Sequence, residues 1–85
     1  MSVEEKLYKM NIELQQKIIA EMEKVKEGHG DKNILQLQTI LEELQNSMEG
    51  KNIVFSFPHF IVDSWDYSDV LGIELMELNA LYKKM

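Results

Sequence analysis

The stretch KNIVFSFPHFIVDSWDY, residues 51–67, separates two parts of this 85-residue chain that differ in composition. It holds all three Phe, the only Pro and the only Trp, whereas residues 1–50 contain none of these types. Large apolar side chains at alternate positions over 53–57 are typical of a strand, which would end or lie at a sheet edge at Pro58. Pro58 equally suits the first turn of a short helix over 59–62. The sequence leaves both interpretations open, and either way the segment must pack on other elements, because an isolated strand is only marginally stable.

Two long amphipathic helices are predicted before this segment. The first covers about residues 2–27 and the second about 31–49, with Asp31 as the expected N-cap. Because the connection Gly28–Gly30 is short, the two helices should form an antiparallel hairpin. Each carries an apolar stripe at helical spacing, made of Val3, Leu7, Met10, Leu14, Ile18, Met22 and Val25 in the first and Ile34, Leu37, Leu41, Leu44 and Met48 in the second.

A third helix is predicted over about residues 69–85, capped by Ser68 or Asp69. Apolar residues populate most of its circumference, a pattern that is usual for a deeply buried helix. The expected fold is therefore mainly α and forms one domain over 1–85. It is a small bundle of the helical hairpin, the aromatic crossing segment 51–67 with a possible short strand, and the C-terminal helix.

Composition excludes several kinds of function. The net charge is −6, every basic side chain is Lys, and Cys is absent. Disulfides and thiolate zinc sites are thereby excluded, and an acidic chain without Arg is poorly suited to nucleic acid or to an anionic membrane surface. No run of about 18 apolar residues is present, and the N-terminus lacks the apolar block of a signal peptide. We therefore expect a cytoplasmic protein that binds neither nucleic acid nor membranes.

His59 belongs to the one group of residues in the sequence that resembles a reactive site. It lies close in sequence to Asp63, Asp66 and Asp69, and a His with carboxylates can bind a divalent ion or serve in acid–base chemistry. The spacing of three between the aspartates equally suits a solvated edge and N-cap roles, and His29, between two glycines, has no converging ligands. We therefore predict no catalytic residue, no metal ligand and no cofactor.

The most economical function is a small non-enzymatic interaction or regulatory module that self-associates through apolar helix faces, most simply as a homodimer. One alternative is an acidic inhibitor, of the immunity-protein or antitoxin type, that masks a basic partner protein. A second alternative is a small metal-dependent enzyme. Aromatic side chains beside acidic ones are typical of interface anchors, so the predicted partner-binding residues are Phe60, Trp65, Asp66 and Tyr67, together with Ile12 and Ile19 on a second face of the first helix. Most of the aromatic cluster, including Phe57, is expected to be core.

We predict that the chain is an oligomer at micromolar concentration, most simply a dimer. A first helix of about 25 residues is about 38 Å long, more than the sphere of about 31 Å that a chain of this size occupies. Its apolar stripe must therefore be covered by the C-terminal third of the chain or by a second copy. Sedimentation equilibrium measures this directly, and a single species at the monomer mass of 10.0 kDa would contradict the prediction.

Overall fold

A computed structural model describes residues 3–30, 32–49, 55–66 and 68–84. These ranges contain four helices, α1 (Val3–Lys26), α2 (Ile34–Met48), α3 (Phe57–Ser64) and α4 (Val70–Lys83). No residue within them belongs to a strand, and the helices form a small bundle with extents of 39 × 22 × 21 Å. The prediction of a mainly α fold is confirmed. None of the helices in the described ranges has the length and apolarity needed to cross a membrane.

The aromatic segment is a helix rather than a strand where the structure describes it. Phe55 is not in a strand, and α3 begins at Phe57 with Pro58 in its first turn. The possible strand is therefore wrong for residues 55–57, while Ile53 and Val54 lie outside the described residues. Pro58 explains the choice, because a proline in the first helical turn gives up no intrahelical hydrogen bond.

The start of α3 is fixed by a side chain from another helix. The Oε1 atom of Glu43, on α2, accepts hydrogen bonds from the backbone N–H groups of Ser56 at 2.8 Å and Phe57 at 3.3 Å. The hydroxyl of Ser56 donates to the other oxygen of the same carboxylate. The free N–H groups at a helix start need acceptors, and a carboxylate there is favoured by the helix dipole. A strand would have used the same N–H groups in a ladder.

The predicted hairpin is present, although α2 starts later than expected. Gly28 has φ of +83° and ends α1, and the N–H of His29 donates to the carbonyl of Lys24 at 2.8 Å, as in a common helix-ending motif. The N-cap of α2 is Asn33, whose side chain accepts two backbone N–H groups. The predicted cap at Asp31, which lies outside the described residues, is therefore wrong, because the chain makes a further bend before α2 begins.

Contacts along α1 define the direction of its two neighbours. Near the start of α1, the Nδ2 atom of Asn11 donates to the carbonyl of Leu44, near the end of α2, at 3.2 Å, so α2 runs antiparallel to α1. Further along α1, Lys17 Nζ lies 2.6 Å from Glu74 Oε2, while Tyr82 lies beside Leu7 at the start of α1. Helix α4 therefore also runs antiparallel to α1.

One hydrophobic core holds the helices together. Phe57 is fully buried, its ring centroid lies 4.8 Å from that of Phe55, and Phe55 in turn lies 4.9 Å from Tyr82. The expectation that these two Phe are core is confirmed. The other buried apolar residues are Leu7, Leu14, Ile18, Leu37, Ile40, Leu44, Ile61, Leu71, Leu75 and Leu78.

The structure bears on two sequence expectations about exposure. Leu14 and Ile18 of the α1 stripe are buried within the chain, where α2 and α4 pack against α1, so at these residues the chain itself covers the stripe. The deep burial expected of the C-terminal helix is wrong on one face, where Val70 and Ile73 are exposed. Among the described helices, α1 and α3 contact α4, and α3 is only eight residues long, so these two helices leave one face of α4 uncovered.

We predict that Phe57→Ala destabilises the fold by about 3–5 kcal/mol, the usual loss for a buried Phe. The matched control is Val62→Ala on the same helix, where the side chain is 71% exposed and the change should stay within about 0.5 kcal/mol. Urea denaturation of both variants measures the difference. An unfolding midpoint for Phe57→Ala equal to that of the wild type would show that this ring is not a core residue.

Candidate functional site

An apolar groove of about 450 Å³ lies between α3 and α4. Its wall on the α3 side is formed by Ile61, Val62 and Trp65, and its wall on the α4 side by Ile73 and Met76. Volumes of this order are typical of ligand or side-chain pockets. The α3–α4 groove is therefore a concave, largely apolar surface that can receive an apolar group.

The groove exists because both helices carry more apolar residues than the core can cover. Val62 is 71% and Ile73 45% exposed, and both line the groove. Gly72 forms part of the floor, and a Cβ atom there would lie 3.3 Å from Cε3 of Trp65. The missing side chain allows the Trp65 ring to pack closely on α4. Exposed apolar side chains gathered in one concave patch usually mark a binding surface.

The rim of the groove is acidic. Asp66 and Glu77 line it, and none of the described residues that line it is basic. Residues 33–82 contain eight acidic residues and a single Lys, whereas residues 1–32 contain seven acidic residues and six Lys. The excess negative charge of the chain is therefore concentrated in the part that builds the groove.

Asp66 is held in its charged form. Its carboxylate accepts hydrogen bonds from the backbone N–H of Ser68 at 2.9 Å and from the Ser68 hydroxyl at 2.8 Å. These two bonds stabilise the carboxylate and lower the pKa of Asp66 below its ordinary value. A cation that enters this end of the groove therefore meets a full negative charge at neutral pH.

The ring of Trp65 is held in place by polar contacts on the side that faces away from the groove. Its Nε1–H donates to Oε1 of Gln36, on α2, at 3.0 Å. The Nζ atom of Lys32 lies 5.1 Å from the centroid of the ring and 2.8 Å from Oδ2 of Asp69. Asp69 is also the N-cap of α4 and accepts the N–H groups of residues 71 and 72. One wall of the groove is thus attached to the starts of α2 and α4.

Among the predicted partner-binding residues that the structure describes, Trp65 and Asp66 line the groove. Phe60 packs against the core and is partly buried, and Tyr67 lies outside the described residues. Ile12 is half-buried and Ile19 exposed, both on α1, and neither lines the groove. The predicted set is therefore divided between at least two surfaces.

The sequence pattern missed the aliphatic half of the groove. Val62, Ile73 and Met76 line it, and none of them belongs to the predicted partner-binding residues. The sequence contains one indication of this surface, because α4 has more apolar residues than a single buried stripe requires. This excess of apolar residues does not show which face of α4 remains uncovered.

His59 and its neighbouring aspartates do not form a common site. His59 is exposed, Asp66 is bound to Ser68, and Asp69 is paired with Lys32. Across the described ranges, no three His, Asp or Glu side chains are placed to hold a metal ion together. The local roles of Asp66 and Asp69 are turn formation and helix capping.

No protein-family model matches the sequence, and searches of curated proteins and of solved structures return no significant match.

The ion pair of Asp69 with Lys32 should make the fold sensitive to acid. Burial alone would raise the pKa of Asp69, but the Lys32 ammonium and the N–H groups of Gly72 and Leu71 outweigh it and lower the pKa below 3.8. For a lowered pKa, the stabilisation is present above 3.8 and disappears as the pH falls through the value in the folded protein. Asp69→Asn keeps a good N-cap but removes the ion pair.

We predict that Asp69→Asn lowers the free energy of unfolding by about 1 kcal/mol at neutral pH. The difference from the wild type should shrink as the pH falls below 3.8 and disappear once the Asp69 carboxylate is protonated in the folded protein. Urea denaturation of both proteins across this range measures it. A difference that stays constant down to the lowest pH would contradict the role given to the carboxylate.

Proposed function

We propose that this chain is a non-enzymatic protein-interaction module that binds an amphipathic, basic segment of another protein in the α3–α4 groove. The observation that carries the proposal is the combination of exposed Val62 and Ile73 with an acidic rim in a single concave surface. An amphipathic helix laid into a groove between two helices is a recurrent mode of recognition.

The apolar part of the groove supplies the affinity in this proposal. Complete burial of a Val or Ile side chain stabilises by about 1.5–3 kcal/mol, and both Val62 and Ile73 have much of their surface left to bury. Met76 lies beside them, and its unbranched thioether adapts to the shape of an incoming side chain. A partner that inserts two or three apolar side chains would cover this surface.

The charge of the groove selects the partner. Asp66 and Glu77 on the rim favour Lys or Arg on either side of the apolar residues. A second copy of this chain would instead bring the acid-rich region 33–82 against itself, and like charges across an interface are unfavourable. An acidic inhibitor that covers a basic surface of its target is one form of this function.

Self-association through α1 is the second candidate. Tyr8, Ile12 and Ile19 lie on one side of α1, away from the buried stripe, and Ile19 is 44% exposed. Positive and negative charges are nearly balanced over residues 1–32, so two copies of α1 do not repel each other as two grooves would. If α1 forms the contact, Ile19→Ser should lower the mass found by sedimentation equilibrium.

Site-specific photo-crosslinking in the native host tests the proposed function. A photoreactive amino acid replaces Ile73 in the groove or, as a matched control, Leu35 on α2, which is 66% exposed and does not line the groove. We expect position 73, but not position 35, to give a product with a second protein whose contact segment is basic. Identical products from both positions would contradict the proposal, and a product with a second copy from position 73 would replace it with self-association.

The purified complex then gives the affinity. Ile73→Ser should weaken binding at least about tenfold, as is usual for an apolar anchor at the centre of an interface. Leu35→Ser should leave binding unchanged, because this residue lies outside the groove. Equal effects of the two substitutions would place the docking surface elsewhere.

A further inference from the structure

We propose that Lys32 is a positioning residue for the α3–α4 groove. It holds the Trp65 ring in place as one wall of the groove and prevents the ring from rotating over the exposed side chains of Val62 and Ile73. The use of that wall for binding rests on the proposed function. The constraint on the ring itself does not, because it follows from contacts within the chain.

Lys32 is unusually enclosed for a lysine. Its side chain is only 12% exposed, and Nζ lies 2.8 Å from Asp69 Oδ2 and 4.0 Å from Glu21 Oε2. The same Nζ lies 5.1 Å from the centroid of the Trp65 ring, within the range of a cation–π contact. An ammonium group withdrawn from water in this way is favourable only where such partners compensate.

The ring of Trp65 separates two different environments. On one side is the apolar groove, and on the other is a polar pocket of about 290 Å³ lined by Lys32, Gln36 and Asp69. The backbone of Trp65 is fixed at the end of α3, where its N–H donates to the carbonyl of Ile61 at 3.0 Å. Rotation of the side chain is therefore the movement left to this residue.

Rotation of the ring over the exposed apolar side chains of the groove would be favourable. Exposed Val62 and Ile73 lie in the groove, and an indole that rotated over them would remove apolar surface from water. The contacts that oppose this rotation are the Nε1–H bond to Gln36 and the cation–π contact with Lys32, both on the side of the polar pocket. An open groove that is already in the binding geometry spares a partner the cost of reordering it.

A purely structural role for Lys32 makes a different prediction. If its ion pair with Asp69 only joined the start of α2 to α4, its loss would lower stability without changing the ring. Measurements of the ring therefore distinguish the two roles. Because Trp65 is the only Trp in the chain, its indole N–H gives a single cross-peak in a ¹H–¹⁵N spectrum.

The first test compares that cross-peak in four proteins. Lys32→Met removes the charge, Lys32→Arg keeps both the ion pair and the cation–π contact, and Lys17→Met removes the ion pair with Glu74 outside the groove. We expect one sharp indole peak in the wild type, Lys32→Arg and Lys17→Met, and in Lys32→Met a broadened or doubled peak with new nuclear Overhauser contacts between the indole and the Ile73 side chain. A single sharp peak that is merely shifted reflects loss of the nearby charge and would count against the proposal. An unchanged peak in folded Lys32→Met would overturn the proposal. If Lys32→Met does not fold, Lys32→Gln, which removes the charge but keeps a polar side chain, decides on the same terms.

The second test measures binding of an 18-residue amidated peptide that is helical, with Leu on one face and Lys on the other. We expect Lys32→Met to bind it about tenfold more weakly than the wild type, and Lys32→Arg within about threefold. Loss of a positive charge by itself should strengthen binding of a cationic peptide, and Lys17→Met provides the matched control for that effect. If Lys32→Met binds the peptide more weakly and Lys17→Met does not, the loss of affinity is due to the position of the Trp65 ring and not to the net charge.

The outcomes separate this proposal from the proposed function. If the wild type binds the peptide and Lys32→Met binds it with the same affinity, the positioning role is overturned. The proposed docking groove is then unaffected. Absence of binding by the wild type would overturn the proposed occupant, while the indole cross-peak would still decide the role of Lys32.

Discussion

The carboxylate of Glu43 is the constraint on which the second half of the structure depends. It accepts two backbone N–H groups at the start of α3 and the hydroxyl of Ser56. A helix of eight residues has little stability of its own, so its position is determined by this contact and by burial of Phe57. Once α3 begins at Phe57, that ring enters the core and the opposite side of the helix, with Val62, faces outward.

The groove is a consequence of that short helix. Helix α3 runs beside only part of α4, and the Trp65 side chain, at the end of α3, packs over Gly72. On the groove side of α4, Ile73 remains exposed, whereas Leu75 and Leu78 on the other side of the helix are buried. Such exposure is unfavourable in the isolated molecule, and a partner that buries Ile73 would remove the cost. The acidic rim then restricts which partners are suitable.

The sequence predicted the elements better than it predicted the surfaces. The apolar stripes of α1 and α2, the turn at Gly28 and the cap at Asp69 are local patterns, and each is found in the structure. The site was predicted only in part, because Trp65 and Asp66 line the groove while Val62, Ile73 and Met76 were missed. Which apolar residue of α4 is core and which is surface depends on how many helices pack around it, and no local pattern contains that number.

The sequence by itself determined the helical class, the hairpin and the acidic character of the chain, since periodicity, capping residues and charge are local properties. Tertiary structure decided that residues 57–64 form a helix, because Glu43 and Phe57 fix that choice through contacts with α2 and the core. It also decided that Lys32, far from Trp65 in the sequence, lies against its ring. These outcomes depend on side chains that meet only after the helices have packed, because their contacts join residues widely separated along the chain.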